Sequence, residues 1–134
     1  MRVRWAEVDP QGVVFNGNYL TYFDVAITEY WRALGHTYPA AFAAAGVDTF
    51  AVKASLEFKS PARYDDEIDV CARAARLGRT SLRFALEIHR GDVELVSGEL
   101  VYVFVNTESR RPVEVPETIR VAIAHHERTP VDSL

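Results

Sequence analysis

Cysteine is nearly absent: Cys71 is the single one in 134 residues, so no intrachain disulfide can form. It sits in an alternating stretch and reads as a small buried hydrophobe. No apolar run approaches the roughly 18 residues a membrane span needs. An apolar leader is missing too, since the chain runs straight into Arg2-Val3-Arg4-Trp5, and residence in the cytoplasm is the expectation. An excess of positive charge is also lacking. A net charge of −4 and a pI near 5.5 argue against nucleic acid or an anionic membrane as a bulk partner. Local basic residues remain available to hold one anionic ligand. There is no internal repeat, low-complexity tract or linker.

What the chain does have is ordinary globular material, 49% hydrophobic and 25% charged. Its length fits one domain spanning 1–134. Arg2 to Val8 reads as a short strand and Asp9 to Phe15 as a Pro/Gly loop. Tyr19, Tyr22, Phe23, Ala26, Ile27, Tyr30 and Leu34 then recur at spacings of three and four, the apolar face of a helix about 17 to 19 residues long. Asn16 or Asn18 is positioned to cap its start and Gly35 to end it.

A connector, His36 to Gly46, carries a possible short helix at Ala40–Ala45. The period then falls to two. Strands are expected at Val47–Phe58, Glu67–Leu77, Thr80–His89 and Val93–Asn106, with turns at Tyr64-Asp65-Asp66, Gly78 and Arg90-Gly91-Asp92. Val101 to Val105 leaves no polar face, as in a central strand. A terminal helix is expected at Glu117–Glu127, with the last seven residues loose. Strand, long helix, then four strands joined largely by tight turns excludes an alternating parallel fold. The order predicts an α+β architecture, a five-stranded antiparallel sheet wrapped around one long central helix.

The most informative segment is Glu7-Val8-Asp9-Pro10-Gln11-Gly12-Val13-Val14-Phe15-Asn16-Gly17-Asn18-Tyr19. It carries a carboxylate at a strand end with a helix N-terminus a few residues later. Helix N-termini hold unpaired N–H groups and positive dipole character, which suit developing negative charge. An acid facing such a site can hydrolyse an activated carbonyl.

This segment, with Tyr22-Phe23-Asp24, Phe58-Lys59-Ser60-Pro61-Ala62-Arg63-Tyr64-Asp65-Asp66 and Gly78-Arg79-Thr80-Ser81, closely resembles the hydroxybenzoyl-CoA thioesterase family of small bacterial hotdog-fold acyl-CoA thioesterases. The likeness covers roughly residues 2 to 115. It implies the hotdog fold and a homodimer or homotetramer built by joining sheets edge to edge. It also implies an active site at the dimer interface, and hydrolysis of an acyl-CoA to free acid and CoA without metal or cofactor.

Under this resemblance Asp9 is the catalytic acid, either as nucleophile or as general base. The backbone N–H of Asn16 polarises the thioester carbonyl, and Gly17 adds a second N–H. Asn16 departs from the His or Tyr of many relatives, which leaves the backbone role intact and puts a side-chain role in doubt. Gln11 is a candidate for orienting water. Arg79, Thr80 and Ser81 match the turn that meets the nucleotide of CoA, with Lys59 and Arg76 as further cations. Tyr19, Phe23, Phe50 and Ala54 are candidates for lining an acyl pocket, and fit aromatic or short-to-medium aliphatic groups equally.

Asp24 and Glu29 are rival acids, because a second group of hotdog thioesterases carries its acid on the helix. The alternatives to hydrolysis are a non-catalytic acyl-CoA-binding hotdog protein and a hotdog enoyl-CoA hydratase or dehydratase. The latter place a His beside an acid, and none of His36, His89, His125 and His126 lies in the Asp9 loop.

Overall fold

The computed structural model describes residues 1–128 and 131–133. Helix α1 (Asn16–Ala33) is followed by α2 (Ala40–Ala44), then β1 (Val47–Phe58), β2 (Asp69–Leu77), β3 (Ser81–Arg90), β4 (Val93–Asn106), α3 (Glu117–His126) and β5 (Asp132–Ser133). The sheet order is β1-β4-β3-β2-β5. Its four long strands are antiparallel, and β4, the strand with no polar face, lies between β1 and β3. The α+β class, the antiparallel sheet and the long helix agree with expectation.

The expected make-up, five full strands around one helix, needs correction: four long strands form. No N-terminal strand forms. Isolated bridges Arg2–Glu67 and Val8–Val14 flank a 3-10 turn at Trp5–Glu7 instead. The cause is local: the Glu7 carboxylate accepts the Arg4 backbone N–H at 2.8 Å and curls the chain out of extension. The fifth strand is β5, two residues long and parallel to β2 at Arg76 and Leu77. Of the terminal residues expected to be loose, 129, 130 and 134 lie outside the described residues, while Asp132–Ser133 are paired. Among the described residues there are three α-helices, not one: beside the long α1, α2 and α3 form where the short helix at Ala40–Ala45 and the terminal helix at Glu117–Glu127 were expected.

Helix α1 buries Tyr19, Tyr22, Phe23, Ile27, Tyr30 and Trp31 against the sheet. Opposite them lie Phe84, Leu86, Ile88, Leu100 and Phe104, all nearly inaccessible. Each such side chain contributes about 1.5–3 kcal/mol on burial, so this face holds the helix in place. Gly98 permits the closest approach: a Cβ there would lie 2.3 Å from the Ser55 carbonyl oxygen and 2.8 Å from Phe23 Cε2. The helix leaves at Gly35 as expected, with His36 N–H returning to the Trp31 carbonyl at 3.1 Å. Cys71, expected to be buried, is exposed. It lies opposite Glu87 on the parity of β2 that faces away from α1.

The two sheet edges differ. Along β2, Met1 exchanges both main-chain hydrogen bonds with Ile68 at 2.8 Å. The Ala74 N–H donates to Glu127 Oε2 at 3.0 Å, and β5 covers the far end. Beside β1, the other edge, no strand pairs among the described residues, and most of β1 is exposed, including Phe50, Val52 and Phe58.

Candidate active site

Asp9 stands in a closed loop rather than at the end of a strand. Its N–H donates to the Val13 carbonyl at 2.9 Å, and its carbonyl accepts the Gly12 N–H at 2.9 Å. Asp9 Oδ1 accepts the Gln11 N–H at 2.8 Å, the side-chain-to-backbone turn that Asp favours. Gly12 has φ +79°, a left-handed conformation that glycine adopts without strain. The second carboxylate oxygen, Oδ2, has no partner among the described residues. Gln11 is exposed, and its main chain rather than its amide touches Asp9.

The loop closes on the start of α1. Phe15 is the N-cap, in extended conformation (φ −62°, ψ 134°), and no side chain caps the helix. The expected cap by Asn16 or Asn18 is therefore absent, because Asn18 Nδ2 donates backward to the Glu7 carbonyl at 2.9 Å. The consequence is chemical: among the described residues the N–H groups of Asn16 and Gly17 have no acceptor. They are two of the four donors every helix leaves open.

Beside these donors lies a cavity of about 190 Å³ lined by Val13, Val14, Asn16, Tyr19, Phe58, Lys59, Ser60 and Pro61. Tyr19 is 3% exposed, and its phenol oxygen accepts the Ala62 N–H at 3.0 Å, which holds the Ser60–Ala62 wall against the helix. Lys59 Nζ is 3.1 Å from Glu94 Oε2. Of the other expected acyl-pocket residues, Phe23 is fully buried against Gly98 and Phe50 lies under the Arg110 guanidinium at 4.6 Å. Neither they nor Ala54 line this cavity.

Asp9, Gln11, Asn16 and Gly17 thus share one loop–helix junction, with Lys59 on the wall of the adjoining cavity. Arg79, Thr80 and Ser81 do not join them. Ser81 pairs with Val103, whereas the cavity end of the sheet is at the level of Ile88 and Val96. Seven residues along a strand separate these rows, on the order of 20 Å at about 3.3 Å each. Arg79 pairs with Glu114 at 3.4 Å, both exposed. Asp24 is exposed, and Glu29 is ion-paired with Arg32. His89 lies 2.8 Å from Glu87, and His126 meets Tyr30 edge to face with ring centroids 5.0 Å apart. Neither histidine lines the cavity.

Sequence reasoning passed over Glu7. It is 8% exposed and is bound by the Arg4 guanidinium at 2.7 Å and the Tyr22 hydroxyl at 2.9 Å. Burial alone would push its carboxyl up. The hydrogen bonds from the Arg4 side chain, the Arg4 N–H and Tyr22 outweigh burial and hold it below the usual range. Tyr22 moves the other way, raised first by burial and then by the Glu7 charge. The Arg4/Glu7 spacing of three was the available signal.

A sequence profile described as the thioesterase superfamily matches residues 11–97. The chain is 27% identical over 118 residues to a putative esterase of Aquifex aeolicus, covering 88% of this chain and 90% of that one. It is 28% identical over 120 residues to the acyl-CoA thioester hydrolase YbgC of Escherichia coli, covering 89% of each. A crystal structure of a hypothetical protein from Aquifex aeolicus superposes with TM-score 0.86 at 26% identity, covering 92% of this chain and 95% of the other.

Proposed function

The chain belongs to the thioesterase superfamily, and on that premise we propose that it hydrolyses acyl-CoA thioesters to free acid and CoA, with Asp9 as nucleophile or general base. The observation that carries the reading is the loop–helix junction. Among the described residues, a carboxylate with one uncommitted oxygen shares a short ladder with two unpaired N–H groups at the head of an 18-residue helix. A thioester carbonyl accepting from the Asn16 and Gly17 N–H groups gains stabilisation as its oxygen becomes negative. Asp9 then either attacks the carbonyl carbon, expelling the CoA thiolate and leaving a mixed anhydride that water hydrolyses to the free acid, or takes a proton from a water that attacks the carbon directly as the thiolate leaves. Relatives described as thioester hydrolases support the same chemistry.

The nucleotide end of CoA requires cations. In one chain Lys59 is at hand, while Arg79, Thr80 and Ser81 sit at the opposite end of the sheet. Two copies joined antiparallel along β1 reverse the sheet direction across the seam, which brings the second copy's Arg79 turn toward the Asp9 end. The open edge of β1, against the closed edge of β2, supports this homodimer.

The test is thiol release from a panel of aromatic and aliphatic acyl-CoAs by wild type and Asp9→Asn. Loss of turnover in a folded Asp9→Asn is expected. Full activity in that variant overturns the assignment and directs attention to Asp24 and Glu29. Binding without turnover by the wild type would make the protein an acyl-CoA carrier.

A further inference from the structure

We propose that Glu7 is a positioning residue for Asp9, fixing the carboxylate's distance from the N–H groups at the head of α1. The proposal rests on the reading of Asp9 as the catalytic acid. Glu7 is the one buried charged side chain among the described residues. Both of its carboxylate oxygens are committed. Oε1 accepts the Arg4 N–H at 2.8 Å and the Tyr22 hydroxyl at 2.9 Å; Oε2 accepts Arg4 Nε at 3.1 Å and Nη2 at 2.7 Å. Its main-chain carbonyl is used twice as well, by the Phe15 N–H at 3.0 Å and by Asn18 Nδ2 at 2.9 Å.

One residue therefore grips α1 at three places: before its first residue, at its third and in its second turn. The chain from Glu7 to Asp9 has no slack. Val8 bridges Val14, and the Asp9 N–H reaches the Val13 carbonyl, so Glu7, Val8 and Asp9 stand in register with Phe15, Val14 and Val13. The pair that must meet the substrate, the Asp9 carboxylate and the Asn16 N–H, flanks this short ladder. A shift at Glu7 moves one against the other.

A purely stabilising purpose explains the arrangement poorly. The Glu7 carboxylate is buried but its Arg4 partner is exposed to solvent, and an ion pair with a solvated partner adds little stability. What four donors on one carboxylate supply is direction. Reaction rates are sensitive to it: a displacement of about 1 Å can cost about a hundredfold.

Glu7→Gln keeps the shape and removes the charge, while Tyr22→Phe keeps the carboxylate and its Arg4 pair and removes one donor. Both are compared with wild type in the full chain, using benzoyl-CoA and hexanoyl-CoA for turnover and calorimetry for the affinity of CoA. We expect kcat to fall about tenfold or more in Glu7→Gln and severalfold in Tyr22→Phe, with KM and CoA affinity within about twofold of wild type. A folded Glu7→Gln with wild-type kcat overturns the proposal, as does a parallel loss of kcat and CoA affinity. If Glu7→Gln does not fold, Tyr22→Phe decides by the same criterion. Full activity in Asp9→Asn would remove the underlying reading. An inactive Asp9→Asn beside an unimpaired Glu7→Gln removes only the present one.

Discussion

At Asn16 the main chain and the side chain can be separated by mutation. Asn16 is the first residue of α1, and Phe15 before it is already extended. Proline is favoured at a first helical position, fixes a φ that suits the helix, and requires an extended predecessor. Asn16→Pro therefore removes the N–H and leaves the helix in place. A lost oxyanion donor costs about 3 kcal/mol, so kcat should fall about a hundredfold or more, with circular dichroism and Tm close to wild type. Asn16→Ala keeps the N–H and should cost far less. Equal losses in the two variants would put the side chain, not the backbone, in the chemistry. Asp9 and Asn16 were legible because they belong to one contiguous motif. Glu7 was not, because its meaning depends on Tyr22, two turns into a helix, and on a carbonyl shared by Phe15 and Asn18. Lys59 and the Arg79 turn were legible as cations for CoA, but the strand register that sets them at opposite ends of the sheet is not a local feature of the sequence.

The elements were read well where their periodicity is long. Val47–Phe58 and Val93–Asn106 form with the bounds expected of them, because each offers a sustained pattern ended by turn residues. Arg2 to Val8 looks like a strand and is not one, since a side chain–main chain bond three residues apart outcompetes extension. The same bond gives a pH signature. Glu7 is held below its ordinary range, so its ionised form stabilises the fold above about pH 4.3, and that contribution is lost as pH falls through the lower folded value. In urea unfolding, the stability gap between wild type and Glu7→Gln should be widest near neutrality and close in acid. A gap that widens in acid would contradict the assignment. Between β1, β4 and α1 the tight contact is at Gly98. Gly98→Ala drives a methyl into a main-chain oxygen of β1 and the Phe23 ring. It should destabilise by about 1–3 kcal/mol, seen as a Tm lowered by several degrees. An unchanged Tm would mean that β1 yields freely.

For the whole molecule the decisive asymmetry is between the sheet edges, which no local pattern in the sequence reveals. A long uncovered edge is a template for another strand, and β1 carries exposed Phe50, Val52 and Phe58 along it. A two-fold axis through the middle of Val47–Phe58 falls beside Val52, which is 60% exposed, so each Val52 would lie close to its own copy. Val52→Glu then sets like charges against each other across the seam, a destabilising arrangement, while on an isolated chain it merely decorates a solvent-facing position. Sedimentation should show the wild type as a dimer or a multiple of one, and Val52→Glu shifted toward the monomer at the same concentration. If the nucleotide of CoA is met by the second copy's Arg79 turn, KM should rise as the dimer dissociates, and added protein should restore it. A Val52→Glu variant that stays dimeric would move the interface elsewhere. One that becomes monomeric with unchanged KM would place the whole CoA site within a single chain, with Lys59 as its cation.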